Sequence, residues 1–232
     1  MSIFKLFKDL IAPKKCYNCG VESTYLCKKC VQEIGFFESI CPYCKQISRD
    51  FEIHFYCKRK HFYLDKIIIF THYKNTIIKK LIKDAKFYGK KDILEDISFY
   101  LGEKLFLHIQ EKKQEVILVS TPMYFWKKFS RGYNQSEILV KNIANNFGLN
   151  YTTNLFKKSK STKPQSHLSK IERIENLKGV FYINEKEFSK HNNKVFILVD
   201  DVVSTGTTFN ECAKLLKNKG IKTIYGLSIA SD

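Results

Sequence analysis

The apolar residues of this chain follow two patterns that alternate along most of its length. Short apolar runs predict strands, the most continuous of them buried on both faces, at residues 64–72, 116–119, 195–199 and 221–229. Apolar residues at helical spacing predict helices at residues 77–89, 91–111, 136–147 and 209–219. Because strands and helices alternate through residues 116–229, we predict an α/β fold with a parallel sheet and helices on both faces.

The run Val195–Val199 leads into a polar sequence that can bind a sugar phosphate. Two carboxylates, Asp200 and Asp201, come where the strand should leave the sheet. A carboxylate there can accept hydrogen bonds from a ribose diol or hold Mg²⁺ through water. The next residues open a helix, and its N-terminus offers free backbone N–H groups and a positive dipole end to a phosphate. These loop residues are Ser204, Thr205, Gly206, Thr207 and Thr208.

A simpler interpretation is a buried strand, an ordinary turn and a helix capped by Ser or Thr. It explains the hydroxyl residues but not the pair Asp200 and Asp201, whose like charges repel each other. We therefore predict a phosphate-and-ribose site here. Since successive strand residues point to opposite faces, the two carboxylates are expected to have different roles.

The N-terminal part of the chain has the cysteine spacing of a zinc protein. Seven of the eight cysteines lie between residues 16 and 61, in three CxxC pairs and one Cys-x3-His pair. This density predicts metal ligands rather than disulfides, and eight ligands are enough for two tetrahedral zinc sites with a structural role. The predicted ligands are Cys16, Cys19, Cys27, Cys30, Cys41, Cys44, Cys57 and His61.

The pairing of these ligands stays open at this point. A sequential scheme assigns the first four to one site and the last four to the other, but a cross-braced scheme or a single occupied site is also compatible with the spacing. His54 could replace His61, although Cys57-x3-His61 fits one helical turn better. The metal would replace the core that this short segment lacks.

Two basic segments lie where a ligand could be bound. Residues 127–135 follow a predicted strand and contain Arg131, whose planar guanidinium suits phosphate; a helix-end charge in a surface loop is the alternative. Residues 157–175 are basic, lack periodicity and contain Pro164. They predict either a mobile lid over a polyanion or a disordered linker.

The net charge of +17, from 40 Lys and Arg against 23 Asp and Glu, favours nucleic acid, a membrane surface or phosphorylated substrates as partners. The alternative is a lysine-rich surface that is only solvated and binds no such partner, because it would give the same net charge. No apolar run is long enough to span a bilayer, and residues 1–11 do not resemble a signal peptide, so we predict a cytoplasmic protein. Residues 3–11 fit a short helix that packs on the protein or, alternatively, anchors it to a membrane surface.

The combination of motifs resembles the ComF family of competence proteins. The fourteen residues Val195–Thr208 resemble the phosphoribosyl-pyrophosphate (PRPP) motif of type I phosphoribosyltransferases. The other shared motifs are the CxxC pairs, Lys86-Phe87 before Gly89, Arg131-Gly132-Tyr133-Asn134-Gln135, and the spaced residues from Gln165 to Phe181. Ser204 replaces the usual first Thr of the phosphate loop, and Cys57-x3-His61 replaces a fourth CxxC.

The resemblance implies a division into a zinc-finger module at residues 1–62 and a phosphoribosyltransferase-like domain at residues 63–232. It implies that Asp200, Asp201 and Arg131 are the catalytic residues. It also implies that Asp200, Asp201, Lys86 and the loop Ser204–Thr208 bind PRPP or a nucleotide, with Mg²⁺.

We predict a competence factor that binds single-stranded DNA and a PRPP-like ribose phosphate during DNA uptake. It would work beside the DNA-uptake machinery at the inner membrane, with membrane association as an option. The alternative is an active Mg²⁺-dependent phosphoribosyltransferase. The sequence shows a donor site but no acceptor-base pocket, so transferase chemistry is left open.

Overall fold

A five-stranded sheet forms the centre of the molecule. The structure, a computed structural model, describes residues 13–58, 62–109, 111, 113–123, 125–158, 179–191 and 194–231. All pairings in this sheet are parallel, in the order β1-β7-β6-β2-β3. The strands are β1 Lys66–His72, β2 Val116–Ser120, β3 Asn150–Thr152, β6 Val195–Val203 and β7 Ile224–Ser231. A separate antiparallel pair consists of β4 Phe156–Lys158 and β5 Phe181–Ile183.

The helices described are α1 Lys28–Ile34, α2 Phe55–Lys58, α3 Thr76–Phe87, α4 Asp92–Phe106, α5 Phe125–Arg131, α6 Gln135–Phe147, α7 Glu185–Phe188 and α8 Thr207–Asn218. Short 3-10 turns occupy Lys113–Glu115 and Ser189–His191. The predicted α/β class is therefore confirmed: a parallel sheet is flanked by helices.

Alternate strand residues divide the core into two apolar clusters, one on each face of the sheet. On one face, Ile197 and Val199 of β6 pack in the cluster that contains the buried residues of α3, α4 and α6. On the other, Phe196 and Leu198 pack in the cluster that contains Phe209 of α8. This is why β6 reads as an unbroken apolar run: both of its faces are covered.

The cysteine-rich segment contributes to both clusters. Cys16 and Cys30 pack with the helices α3, α4 and α6, whereas Cys41 packs with α8. An isolated antiparallel bridge between Glu52 and Lys66 also joins this segment to the start of β1. The predicted boundary between residues 62 and 63 stays a prediction.

The structure differs from the sequence-based expectation in four described segments. Strand β6 continues beyond the apolar run to Val203 because β7 extends beside it. Residues 125–131, expected as a loop, form helix α5, which ends at Gly132 with a φ of +81°. Lys157 and Lys158, assigned to a mobile loop, belong to β4, which pairs with β5. Strand β3 was missed, since its three residues carry no apolar run.

Other expectations fall outside the described residues. These are the N-terminal helix at residues 3–11, His61, and residues 159–178 of the basic segment. Across the described ranges, none of the helices combines the length and the apolar character that crossing a bilayer demands.

A close contact between α4 and α6 gives a stability test. A Cβ on Gly102 would lie 2.2 Å from Cε2 of Phe147, so Gly102→Ala must displace a ring that also packs on Phe99 and Phe106. Such overpacking costs about 1–3 kcal/mol, against about 1 kcal/mol of helix propensity gained. We expect a melting temperature lowered by roughly 2–4 °C.

Glu103→Ala is the control, because Glu103 is the exposed next residue of the same helix. Thermal unfolding followed by circular dichroism compares the two variants. A Gly102→Ala variant as stable as Glu103→Ala would contradict the packing described for α4 and α6.

Candidate functional site

The unequal lengths of the strands beside β6 open a cleft at its C-terminal end. Strand β2 pairs with β6 only as far as Val199, whereas β7 pairs with it as far as Val203. Asp200 and Asp201 therefore lie inside β6 but beyond the end of β2. Ligands of open α/β sheets bind at this edge, outside the carboxyl ends of the strands.

Asp201 is buried and forms an ion pair with Lys86. The Lys86 Nζ atom lies 2.9 Å from Asp201 Oδ2. Lys86 belongs to the last turn of α3, and the Tyr133 hydroxyl donates to the carbonyl of the preceding residue, Ala85. The end of α3 is thereby held against the cleft, and its lysine neutralises one of the two carboxylates.

Asp200 accepts hydrogen bonds from two donors. The Ser136 hydroxyl donates to its Oδ1 atom over 3.1 Å and the backbone N–H of Asp201 over 2.9 Å. A 2.7 Å hydrogen bond joins the hydroxyls of Ser136 and Thr121. Burial, with the neighbouring charge of Asp201, raises the pKa of Asp200 to about 7, although hydrogen bonds and Lys86 act in the opposite direction. Thus one carboxylate is paired and the other holds its proton to near neutral pH.

The motif residue Asn134 fixes the start of α6 at the cleft. Its Oδ1 atom accepts from the backbone N–H of Ser136 over 3.2 Å, as an N-cap does. Its Nδ2 atom donates to the carbonyl of Thr121 over 3.0 Å. The side chain therefore ties α6 to the end of β2, which places Ser136 beside Asp200.

Arg131 and Gln135 line the same cleft. The Arg131 Nη1 atom donates to Gln135 Oε1 over 2.8 Å, and its guanidinium lies 5.5 Å from the ring centroid of Phe87. The Gln135 Nε2 atom is buried and has no hydrogen-bond partner among the described residues. A buried donor without an acceptor costs free energy, and a ligand that accepts its hydrogen bond would recover that cost.

The phosphate loop connects β6 to α8. Gly206 is the N-cap of α8 with a φ of +70°, a left-handed conformation that suits glycine, and no side chain caps the helix. The hydroxyls of Thr205 and Thr207 are 2.7 Å apart. The first N–H groups of α8 therefore lack a side-chain acceptor at the N-cap, as the simpler Ser or Thr cap would have provided.

The cleft has a volume of about 250 Å³, and a smaller cavity of about 20 Å³ lies within the phosphate loop. Predicted residues that line the two are Lys86, Arg131, Asp200, Asp201, Ser204, Thr205, Gly206, Thr207 and Thr208. The structure thus brings the predicted sugar-phosphate residues together at one edge of the sheet.

The cysteine-rich segment contains two groups of metal-ligand atoms. The first cysteine cluster is Cys16, Cys19, Cys27 and Cys30. The Cys/His cluster is Cys41, Cys44, His54 and Cys57. All ligand atoms within each cluster lie within 4.8 Å of one another. The grouping follows the sequential scheme, with His54 as the described fourth ligand of the second cluster; the prediction for His61 stays a prediction.

The donor sets fit a tetrahedral zinc ion. A Zn–S bond of about 2.3 Å implies sulfur atoms roughly 3.8 Å apart in a tetrahedron, and the Sγ atoms of Cys19 and Cys27 are 3.7 Å apart. In the second cluster, Cys44 Sγ and His54 Nδ1 are 3.2 Å apart. The Asn18 Nδ2 atom lies 3.4 Å from Cys30 Sγ, an outer hydrogen bond typical of a metal thiolate. Both clusters could therefore hold a metal.

Comparisons with known proteins agree with this geometry. The model of the phosphoribosyl transferase domain matches residues 134–229. Competence protein F of Haemophilus influenzae is 29% identical over 92% of this chain and 94% of its own length. DNA utilization protein YhgH of Salmonella typhimurium is 24% identical over 93% and 96%. These similarities support the resemblance to ComF-family proteins.

Among solved structures, a hypoxanthine phosphoribosyltransferase from Staphylococcus aureus is similar at 15% identity with a TM-score of 0.36. The match covers 61% of this chain and 65% of that enzyme, slightly less than two thirds of its length.

Several residues that line the cleft were not predicted from the sequence to have a role in it. Thr121, Ser136 and Asn134 hold Asp200 and α6 in place, and Lys158 and Phe181 line the far side. The polar residues after Val119 could have indicated a place in the cleft, because the carboxyl ends of parallel strands meet at the same edge of the sheet. Lys158 was expected only as part of a basic lid or linker, because its position at the cleft depends on the pairing of β4 with β5.

The raised pKa of Asp200 predicts a stability change with pH. The unfolded carboxyl ionises near pH 4 and the folded one near pH 7, so the folded state binds more protons between these values and loses stability as pH rises. Asp200→Asn removes this loss. Because one pKa unit corresponds to about 1.4 kcal/mol, we expect the melting temperature of the variant, relative to wild type, to rise by several degrees from pH 4.5 to pH 8.

Glu115→Gln, at an exposed carboxylate, should show a difference from wild type that is independent of pH. Differential scanning calorimetry across this range measures both differences. A relative melting temperature of Asp200→Asn that falls with pH would mean that the folded protein prefers the ionised Asp200.

Proposed function

We propose that this protein is a competence factor that binds single-stranded DNA and a PRPP-like ribose phosphate during DNA uptake. The observation that carries the proposal is similarity over nearly the whole chain to proteins named competence protein F and DNA utilization protein. The phosphoribosyl transferase match to residues 134–229 covers most of the residues that line the cleft. A role in DNA uptake that uses a sugar-phosphate cleft accounts for both observations.

The chemistry of the cleft supports a ribose phosphate as the ligand. The N-terminus of α8 and the loop Ser204–Thr208 offer N–H and hydroxyl donors for the 5-phosphate. Asp200 and Asp201 are placed to bind the ribose hydroxyls, and Mg²⁺ held by them would neutralise a diphosphate. Arg131 and Lys86 add positive charge at the same edge.

Zinc is the metal that the two cysteine clusters suit best. Thiolate and imidazole ligands at tetrahedral spacing favour Zn²⁺, and complete sets of four protein ligands favour a structural ion over a catalytic one. Metal in each cluster would stabilise the segment that packs on both faces of the sheet.

The surface around the cleft supports single-stranded DNA as a partner. Phe87 and Tyr88 at the end of α3, and Phe129 on α5, are between 65% and 73% exposed. Arg131 lies over the ring of Phe87. Aromatic rings beside basic groups bind single strands by stacking and phosphate contact, and the net charge of +17 adds long-range attraction. Such DNA would arrive from the uptake machinery at the inner membrane.

An active Mg²⁺-dependent phosphoribosyltransferase is the second candidate. The buried Gln135 Nε2 atom favours it: none of the described residues accepts its hydrogen bond, so it offers a donor to a further ligand in the cleft. Release of pyrophosphate from PRPP that depends on an added base would support this candidate. A site that only binds PRPP would release none.

The double variant Asp200→Asn/Asp201→Asn tests the proposal in cells. Both carboxylates lose their charge while the side chains keep their shape, so ribose and Mg²⁺ binding should weaken by about tenfold or more. We expect the frequency of natural transformation to fall by a similar factor. Transformants per recipient cell, normalised to protein level, are the measurement.

The matched control is Glu38→Gln/Glu115→Gln, which removes the same charge from two exposed positions outside the cleft. Thermal unfolding and zinc content of the purified variants show whether the fold is retained. Normal transformation by a folded Asp200→Asn/Asp201→Asn protein would refute the role of the cleft in DNA uptake.

A further inference from the structure

Tyr43 connects the Cys/His cluster to the phosphate loop. It lies in the knuckle between Cys41 and Cys44, which closes with a 2.9 Å hydrogen bond from the Lys45 N–H to the Cys41 carbonyl. A Cβ built on Gly206 would lie 3.4 Å from the Tyr43 hydroxyl oxygen and 3.6 Å from its Cε1 atom. The side chain of a residue between two metal ligands therefore packs directly against the glycine of the phosphate loop.

The other side of Tyr43 is held by a second contact. Its ring stacks on that of Phe62, with ring centroids 3.2 Å apart and planes inclined by 24°. The next residue, Tyr63, donates its backbone N–H to the side chain of Asn210 over 2.9 Å, and Asn210 is part of the first turns of α8. The knuckle, this segment and the start of α8 are thus packed as one unit around Tyr43.

The hydroxyl of Tyr43 is buried and has no hydrogen-bond partner among the described residues. A phenylalanine would fill the same space without the free-energy cost of an unsatisfied donor. Packing alone therefore does not account for a tyrosine. A hydroxyl that lies against a phosphate loop, and lacks an acceptor there, points to an acceptor that the loop provides when it is occupied.

We propose that Tyr43 is a positioning residue through which the Cys/His cluster sets the affinity of the phosphate loop for a ribose 5-phosphate. A metal held by this cluster would fix Cys41 and Cys44 on either side of Tyr43, and a phosphate bound in the loop would give the hydroxyl its acceptor. This inference rests on the proposed ribose-phosphate function of the cleft. It assigns the two clusters different roles, since the first cysteine cluster packs on the opposite face of the sheet.

The first test compares Tyr43→Phe with Tyr56→Phe. Tyr56 is next to Cys57 of the same cluster but is 77% exposed and lies away from the loop, so it is a matched control. Calorimetric titration with ribose 5-phosphate should give an affinity about tenfold lower for Tyr43→Phe than for wild type, and no change for Tyr56→Phe. Affinity for pyrophosphate, which carries no 5-phosphate, should be the same in all three proteins.

The melting temperature of ligand-free Tyr43→Phe should equal or exceed that of wild type, because the substitution removes an unsatisfied buried donor. A merely structural tyrosine would lower stability and weaken both ligands together. Ribose 5-phosphate binding by Tyr43→Phe equal to that of wild type would overturn the role of Tyr43 alone. A wild-type protein without any ribose 5-phosphate binding would overturn the proposed function as well.

The second test compares the clusters through one exposed cysteine of each, Cys44→Ser and Cys19→Ser. Each variant should retain less zinc than wild type, measured by mass spectrometry of the purified protein. We expect about tenfold weaker ribose 5-phosphate binding for Cys44→Ser and no more than a twofold loss for Cys19→Ser. Equal losses in two folded variants would contradict a specific link between the Cys/His cluster and the loop.

Discussion

The burial of strand β6 on both faces is the constraint on which the structure depends. Because Val195–Val199 must be covered by an apolar cluster on each side, the strand has to lie inside the sheet, between β7 and β2. The shorter β2 then stops at the level of Val199, while β7 supports β6 as far as Val203. Asp200 and Asp201 are thereby held rigidly by one neighbouring strand and opened to a ligand on the side of the other. The cleft forms because β2 ends before β7 does beside β6.

Electrostatics explains why this edge suits a charged ligand. Two adjacent carboxylates share one nearby lysine, Lys86, which pairs with Asp201, and burial beside that charge raises the pKa of Asp200 to about 7. A divalent cation with a diphosphate would compensate the second carboxylate. Two buried polar atoms near this edge have no hydrogen-bond partner in the part of the chain that the structure describes: Nε2 of Gln135 at the cleft and the hydroxyl of Tyr43 at the phosphate loop. This edge of the sheet therefore has more buried polar groups than the described residues can pair. These groups surround the positions where phosphate and ribose would bind.

The sequence predicted what depends on local pattern and missed what depends on pairing between distant segments. One contiguous segment contains the apolar run of β6, the two carboxylates and the glycine loop, so their arrangement could be predicted from the sequence. The CxxC spacing similarly predicted that the cysteines form metal-ligand clusters. Helix α5 was missed because its mixed composition lacks an apolar period, and the antiparallel pair of β4 and β5 joins residues far apart in sequence. His54 was only an alternative, since spacing favoured His61 and the fold of the knuckle decides which atoms converge. The contact of Tyr43 with Gly206 joins residues far apart in the sequence and has no sequence signature.

The central claim is that the C-terminal edge of β6 binds a ribose phosphate. Calorimetric titration of the purified, zinc-loaded protein with PRPP, in the presence and absence of Mg²⁺, tests it most directly. The account predicts saturable binding with one site per chain, strengthened by Mg²⁺ and displaced by ribose 5-phosphate. It also predicts that Thr207→Val, which removes a single hydroxyl from the phosphate loop while preserving side-chain volume, lowers the affinity. No binding of PRPP, or binding that Thr207→Val and ribose 5-phosphate both leave unchanged, would contradict the assignment of this edge.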